Sequence, residues 1–235
     1  MNSDTPALLV VTGLQREAQI ASGDGVVTVC SGGDPALLRQ RLTALSAHSR
    51  REEILGILSF GLAGGLAPHL KSGDIVIASH VMSGHERHDI HAGWHETLTQ
   101  AFHGTNSVHP GGIAGYNTVV TRAADKAALH KASGAIAVDM ESHVAAAYAH
   151  QHGLPFAVIR AISDPANRSL PGIATDALTP DGNVALSKVL GGLLRQPGQL
   201  PALISAGIDS ERAFAALRRC RRLLGPLFGL GGTHL

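Results

Sequence analysis

The sequence predicts one α/β domain built on a mostly parallel sheet with helices on both faces. Apolar, β-prone runs alternate with helical patterns along most of the chain, which is the arrangement that forms parallel sheets. The chain has 235 residues, enough for one domain with a sizeable core, and 44% of them are hydrophobic. Aromatic residues make up only 3%, so the core must consist mainly of Ala, Val, Leu and Ile.

Seven segments are predicted to be strands because each is a short, apolar run of β-prone residues. They are Ala7–Thr12, Gly25–Cys30, Ile54–Phe60, Asp74–Val81, Val119–Thr121, Ala135–Asp139 and Phe156–Ile162. The third is followed by a glycine-rich segment, 61–65, which we expect to be a turn. The stretch 82–112 is polar and irregular, so we expect a loop region there, close to the active site.

Helical patterns follow most of these strands. Pro35 stands directly after Asp34, a combination typical of the start of a helix. The pattern that begins at His143 stops before Gly153 and Pro155, two residues that end helices. The predicted helices are Gln15–Ala21, Pro35–Ala47, His143–His152, Asp181–Arg195 and Ser210–Leu224.

Two carboxylates stand at the ends of predicted strands. Glu141 follows the strand that ends at Asp139, and Asp164 follows the strand that ends at Ile162. Ligands bind beyond the carboxyl ends of parallel strands, so we expect both carboxylates to face one crevice. One carboxyl can protonate a leaving group while the other opposes positive charge on a sugar. The pattern therefore indicates cleavage of a glycosidic bond.

Composition argues against several other functions. A net charge of +1 and few aromatic residues are unlike a nucleic-acid binder. Cys30 and Cys220 fit neither a zinc motif nor a disulfide framework, which favours a reducing cytoplasm. No apolar run is long enough to cross a bilayer, and no basic region of a signal peptide precedes the first strand. Seven histidines lie between residues 80 and 109, but their spacing matches no recognised zinc motif, so no metal is expected.

Four motifs, in this order, resemble those of one enzyme superfamily. Gly61–Pro68 and Leu70–Val76 are similar to the glycine segment and following strand of purine nucleoside phosphorylases and methylthioadenosine/adenosylhomocysteine nucleosidases. Val138–Glu141 and Arg160–Asp164 resemble two further signatures of that superfamily. The resemblance spans roughly residues 7–195 and implies a nucleoside phosphorylase-like fold and an enzyme that removes adenine from a purine nucleoside.

Within that superfamily the sequence is most similar to the hopanoid-associated phosphorylases, through Cys30–Asp34 and Ser163–Pro171. Those enzymes are implicated in removing adenine from adenosylhopane, a lipid-linked nucleoside. The resemblance implies the same substrate, phosphate as co-substrate, no cofactor, and a cytoplasmic homo-oligomer. The alternatives are a hydrolytic nucleosidase of the methylthioadenosine/adenosylhomocysteine type and a non-catalytic nucleoside-binding protein. A nicotinamide-dependent oxidoreductase does not fit, because Thr12–Gln15 lacks the glycine fingerprint.

The resemblance also implies roles at matching positions. Asp164 would protonate the leaving base, Glu141 would hold the ribose hydroxyls and oppose the sugar cation, and Glu17 would orient water. Each has an ordinary structural alternative: a turn cap, a first-turn helix acid and a solvated helix residue, respectively. The substrate contacts expected from the family motifs are Gly61, Leu62, Ala63, Val119, Met140 and Ser163.

Two positions depart from the phosphorylase pattern. Leu62 replaces a serine that relatives often carry, and Ser59 stands where a phosphate-binding arginine is expected. Both changes weaken a conventional phosphate site. Glu17 also points to water, because phosphorolytic relatives tend to carry an arginine there. The longer resemblance nevertheless favours phosphate, so the sequence leaves the acceptor open with a slight preference for phosphorolysis.

The C-terminal segment 209–235 is basic and amphipathic. It carries five arginines against Asp209 and Glu211, and a helix over Ser210–Leu224 would gather its apolar residues on one side. Such a helix can lie on an anionic membrane, or it can pack on the sheet or on a subunit partner. A lipid-linked substrate favours the membrane. We therefore divide the chain into a catalytic domain, 1–208, and a tail, 209–235, in peripheral contact with the inner membrane surface.

Overall fold

The computed structural model describes residues 6–46, 53–171, 195 and 197–231, and these form an α/β fold, as predicted. The strands are β1 Ala7–Thr12, β2 Val26–Cys30, β3 Ile54–Gly65, β4 Ile75–Ser83, β5 Glu86–Asp89, β6 Val108–Gly115, β7 Ala137–Asp139 and β8 Phe156–Asp164. The helices are α1 Gln15–Ala21, α2 Pro35–Ser46, α3 Ala92–Ala101, α4 Ala123–Ser133, α5 Ser142–Gln151 and α6 Leu200–Leu224.

All the strands belong to one mixed sheet. Its order is β2-β1-β3-β7-β6-β4-β5, and β8 pairs with both β3 and β4. The strands β3, β7, β6, β4 and β8 therefore close into a ring, with β1 and β2 extending from one side. Parallel pairs outnumber antiparallel ones among the described strands, but β7 and β4 run against β3 and β8, respectively. This ring brings the ends of β3, β7 and β8 close together.

Helices cover both faces of the sheet with mostly aliphatic cores. On one face, α2 and α5 bury Leu38, Leu42 and Val144 against the sheet. On the other face, α3 and α6 contribute Trp94 and Leu217 to a second core. Burial of such side chains is the main favourable contribution to folding, at about 25 cal/mol per Å² of apolar surface. Two packed faces hold the strand ends in fixed positions.

The segment 61–65 is the end of a strand and not a turn. β3 continues to Gly65 because it has partners on both sides: β8 pairs with it up to Gly64, and β7 pairs with Gly64 and Gly65. None of its glycines has a positive φ. The glycine-rich composition that suggested a turn therefore needs a different explanation, which the site provides.

The stretch 82–112 is also more regular than predicted. It contains the end of β4, the strand β5, the helix α3 and most of β6. Trp94 and Leu98 of α3 are fully buried, which fixes the helix on the sheet. In β6 the residues Pro110, Gly111 and Gly112 interrupt the apolar pattern by which a strand is recognised in a sequence. The predicted strand Val119–Thr121 is instead an irregular segment after β6.

The helix α6 begins well before Ser210, so the boundary drawn between residues 208 and 209 falls inside it. Its apolar side packs on the sheet and buries Ala213, Leu217 and Cys220. Packing on the sheet, one of the alternatives for this helix, is therefore present, and contact with a membrane stays a prediction. Among the described residues no helix is long and apolar enough to cross a membrane. The predicted helix Asp181–Arg195 lies outside the described residues, apart from Arg195.

Candidate active site

A cavity of about 200 Å³ opens where β1, β3, β7 and β8 end. Most of the predicted site residues line it, namely Glu17, Leu62, Ala63, Val119, Met140, Glu141, Ser163 and Asp164. Gly61 is the exception, because it lies behind the carboxylate of Glu17 and does not line the cavity. The fold thus brings Glu17 next to Glu141 and Asp164, two carboxylates that lie more than 100 residues later in the sequence.

Glu17 is a buried carboxylate held by the backbone. It lies in the first turn of α1, and its Oε2 accepts the N–H groups of Gly13 at 2.8 Å and Leu14 at 2.7 Å. Its Oε1 accepts the N–H group of Leu62 at 2.8 Å. Burial raises the pKa of Glu17, while Arg160 and the three N–H groups act against that shift. The carboxylate is therefore fixed in place and is not the solvated helix residue that the alternative expected.

Glu141 belongs to a buried group of charges. Arg160 of β8 is fully buried and pairs with Asp139, and its Nη2 lies 3.7 Å from Oε2 of Glu141. Ser31 donates its hydroxyl to Oε1 of Glu141 at 3.0 Å. Burial raises the pKa of Glu141 to about 7; Arg160 counteracts the shift, whereas Asp139 and Glu17 add to it. Glu141 can therefore change its charge close to neutral pH.

Asp164, the last residue of β8, is held by side chains. Lys126 of α4 donates to its Oδ2, and the Ser163 hydroxyl donates to its Oδ1 at 2.6 Å. Burial raises the pKa of Asp164, and the contacts from Lys126 and Ser163 act against that shift. A carboxyl whose pKa is raised by burial is suited to carry a proton that it can deliver to a substrate.

Three glycines make room for these three carboxylates. A Cβ atom at Gly13 would lie 2.8 Å from Oε1 of Glu141, and one at Gly61 would lie 2.7 Å from Oε2 of Glu17. A Cβ atom at Gly64 would lie 3.1 Å from Oδ2 of Asp164. These glycines are therefore needed for space beside the carboxylates and not for a turn, which explains the glycine-rich end of β3.

The sequence predicted no role for Asp139, Arg160 or Lys126. Arg160 did carry a signal, because a single charged residue inside an apolar strand must be buried and paired. It also donates to the Ser59 hydroxyl at 2.6 Å, so its guanidinium reaches the position where the family pattern suggested an arginine. Lys126 could not be recognised from the sequence, because its helix otherwise consists of alanines, one leucine and polar residues.

Two of the histidines between 80 and 109 make defined structural contacts. His91 caps α3 by accepting the Trp94 N–H group at 3.3 Å, and the ring of His95 lies 2.9 Å from the Ala78 carbonyl oxygen. Within the described parts of the chain, no three His, Cys, Asp or Glu side chains are placed to hold a metal ion.

Comparison with known proteins identifies the family. A family model described as the phosphorylase superfamily matches residues 11–190, well over half of the chain. The chain belongs to the phosphorylase superfamily. The predicted class of enzyme, nucleoside phosphorylase or nucleosidase, is confirmed at this level.

Several solved structures of other proteins share the fold. The futalosine hydrolase of Helicobacter pylori matches with a TM-score of 0.62 and 16% identity, over 82% of this chain and 98% of that one. The 5′-methylthioadenosine/S-adenosylhomocysteine nucleosidase of S. pneumoniae matches with a TM-score of 0.61 and 17% identity, over 90% and 98% of the two chains. The corresponding nucleosidase of H. pylori, solved with 5′-methylthioadenosine in its active site, matches with a TM-score of 0.62 and 16% identity, over 81% and 99%.

Proposed function

We propose that this protein hydrolyses the N-glycosidic bond of a purine nucleoside and releases adenine. The observation that carries the proposal is the position of Glu17. Its carboxylate accepts three backbone N–H groups beside a cavity that Glu141 and Asp164 also line. A carboxylate fixed at that place can orient a water molecule and accept its proton.

The same contacts argue against phosphate as the acceptor. Backbone N–H groups are common ligands of phosphate, but here Glu17 occupies those of Gly13, Leu14 and Leu62. Arg160, the buried cation of this cluster, is already paired with acidic side chains. The carboxylates around the cavity would repel a phosphate dianion, which would also find few free hydrogen-bond donors. A neutral water molecule is not repelled and can donate to a carboxylate. The site therefore favours the hydrolytic alternative over the phosphate preference drawn from the sequence.

The leaving base needs a proton, because adenine is a poor anion. Asp164 donates its proton to a ring nitrogen as the bond between that base and the sugar breaks, and the bonding electrons stay with the base. The sugar becomes cationic, and the ionised Glu141 carboxylate opposes that charge and accepts hydrogen bonds from the ribose hydroxyls. Water then bonds to the anomeric carbon and gives a proton to Glu17. Solvent returns this proton to Asp164, so the products are adenine and a free sugar.

The cavity also indicates the kind of nucleoside. Its lining includes eight apolar side chains: Leu14, Leu62, Ala63, Val119, Val120, Val138, Met140 and Leu170. An apolar 5′ substituent suits this lining better than a charged one. Methylthioadenosine, the substrate of the structurally similar nucleosidases, has such a substituent. So does adenosylhopane, which the sequence resemblance implied and which is the second candidate substrate.

Adenine release from a set of nucleosides tests the proposal. The purified protein is incubated with methylthioadenosine, adenosylhomocysteine, futalosine and an adenosine with a long apolar 5′ chain, with and without phosphate. We expect turnover that does not depend on phosphate and is fastest with an apolar 5′ group. Binding without turnover of any of these nucleosides would favour the non-catalytic alternative, and a strict need for phosphate would restore phosphorolysis.

A further inference from the structure

Lys126 is the one residue of α4 whose side chain is fully buried. Its ammonium group has three acceptors: Oδ2 of Asp164, the Pro165 carbonyl oxygen at 3.1 Å and the Arg168 carbonyl oxygen at 3.0 Å. A lysine ammonium has three N–H donors, so this one is fully satisfied. Lys131, on the same helix, is exposed. Lys126 is therefore buried against the end of β8, whereas the other lysine of α4 is in solvent.

Burying an ammonium group costs several kcal/mol before pairing is counted, and an apolar residue in its place would often be neutral or stabilising. Stability alone therefore does not explain a lysine here. The contacts themselves suggest a different purpose, because all of them are made to Asp164 or to the segment directly after it. That segment also bonds to the start of α4, where the Leu170 N–H group donates to the Thr121 carbonyl oxygen at 2.9 Å.

The two oxygens of Asp164 have different partners. Lys126 contacts Oδ2, and an ammonium group can only donate, so that oxygen must remain an acceptor. Ser163 contacts Oδ1, and a hydroxyl can either donate or accept. A proton taken up by this carboxyl group therefore resides on Oδ1, where the hydroxyl of Ser163 can turn to accommodate it.

We propose that Lys126 is a positioning residue for the acid of the reaction: it anchors Oδ2 of Asp164 so that Oδ1 carries the proton and presents it to the leaving base. This inference rests on the proposed function. Lys126 is not among the residues that line the cavity, and it acts through Asp164 and the backbone of the 165–168 segment.

The charge of Lys126 gives the proposal a distinct signature. Burial raises the pKa of Asp164, Lys126 and Ser163 lower it, and Asp209 of α6 raises it slightly. Asp209 is itself paired with Arg168, so Lys126 is the dominant charge that faces the carboxyl group. Removing the ammonium should raise the pKa of Asp164 further, keep the acid protonated to higher pH and move the alkaline limb of the kcat/KM profile upward.

The test compares Lys126→Met with Lys126→Arg and with Lys131→Met as a matched surface control. We expect Lys126→Met to lower kcat by about 10²-fold with little change in KM, because the acid is misplaced. The alkaline limb should move upward in that variant alone. Lys126→Arg keeps the charge and should restore part of the rate and the position of the limb. If Lys126→Met does not fold, Lys126→Gln replaces it, with the same shift expected.

Titration of the Asp164 carboxyl group by NMR with ¹³C-labelled aspartate, assigned through Asp164→Asn, measures the same pKa without turnover. A higher pKa without Lys126 supports the proposal; an unchanged pKa and an unchanged limb overturn it. These outcomes are distinguishable from a failure of the proposed function, in which the wild-type protein would release no adenine from any nucleoside. If the wild-type enzyme is active but the alkaline limb of Lys126→Met lies at the same pH, only the role of Lys126 is contradicted.

Discussion

The two ends of the cavity hold their carboxylates by different means. At the proposed sugar end, defined by Glu17 and Glu141, the backbone N–H groups of three residues fix Glu17, while the side chains of Ser31 and Arg160 contact Glu141. At the base end, defined by Asp164, the holding groups are the side chains of Lys126 and Ser163. Backbone donors are set by the geometry of a strand end and a helix start, whereas side-chain donors can be exchanged one at a time. The backbone therefore fixes the position of Glu17, whereas Asp164 can be tuned by its neighbouring side chains.

Loss of the acid at the base end should have the largest effect. Asp164→Asn keeps the shape and hydrogen bonds of the side chain but removes the proton that the leaving base requires. We expect kcat to fall by ~10²–10⁴-fold, the range typical of general acids. Adenine release measured by chromatography gives the rate, and thermal unfolding of the same sample verifies the fold. Turnover near that of the wild type would remove Asp164 from the mechanism.

Loss of the Glu141 charge should lower the rate somewhat less than loss of the acid. In Glu141→Gln the ribose hydroxyls keep a hydrogen-bond acceptor, but the charge that opposes the sugar cation is lost. We expect kcat to fall by about 10²-fold while KM changes little, because that charge matters most in the transition state. Steady-state kinetics on the preferred nucleoside decide this. A higher KM at unchanged kcat would make Glu141 a ribose anchor only.

A change of packing at the sugar end should sharpen the contrast between the two ends. Gly61→Ala places a Cβ atom 2.7 Å from the Glu17 carboxylate and must displace it from its backbone donors. A displacement of roughly 1 Å at a catalytic group can cost about 10²-fold in rate, so we expect a loss of up to that size. Gly207→Ala in α6 is the control, because its Cβ meets open space.

That control has its own expected result. Alanine in a helix interior is more stable than glycine by roughly 0.5–1 kcal/mol, so Gly207→Ala should raise the free energy of unfolding at unchanged activity. Urea unfolding and the adenine assay measure the two quantities. Full activity of Gly61→Ala would show that catalysis does not depend on the space beside Gly61 or on the backbone donors that position Glu17.

The smallest expected effect is a change in the free energy of unfolding with pH. Burial raises the pKa of Glu141 from 4.5 to about 7, so the folded protein binds this proton more tightly than the unfolded chain does. The stability that this provides is complete below the unfolded value and is lost as the pH rises through about 7. Urea unfolding at several pH values should therefore show stability decreasing over this interval in the wild type. Glu141→Gln should flatten that decrease, and an equal decrease in both proteins would contradict the raised pKa.

The contrast between the two ends also explains what could be predicted from the sequence. Glu17, Glu141 and Asp164 each follow a strand within a few residues, so a strand pattern and a family motif suffice to find them. Several of their supporting residues, among them Leu62, Arg160 and Lys126, come from other segments of the chain. Arg160 could have been inferred from its apolar surroundings, but the contact between Lys126 and Asp164 depends on how α4 packs.

Errors in the predicted fold have the same cause. Strand β3 was predicted to end at Phe60, because glycines were taken as a turn when tertiary pairing with β7 and β8 keeps them extended. Strand β6 was not predicted, because its proline and glycines break the apolar pattern. Elements with strong local patterns, such as β1 and α1, were predicted with the bounds that the structure has.

The identity of the sugar product tests the central claim, that Glu17 holds water where a phosphate would otherwise bind. The wild-type protein is incubated with its preferred nucleoside in excess phosphate, and the sugar is analysed by mass spectrometry. We predict a free reducing sugar, formed at a rate that does not depend on the phosphate concentration. A sugar 1-phosphate, formed at a rate that rises with phosphate, would contradict the account.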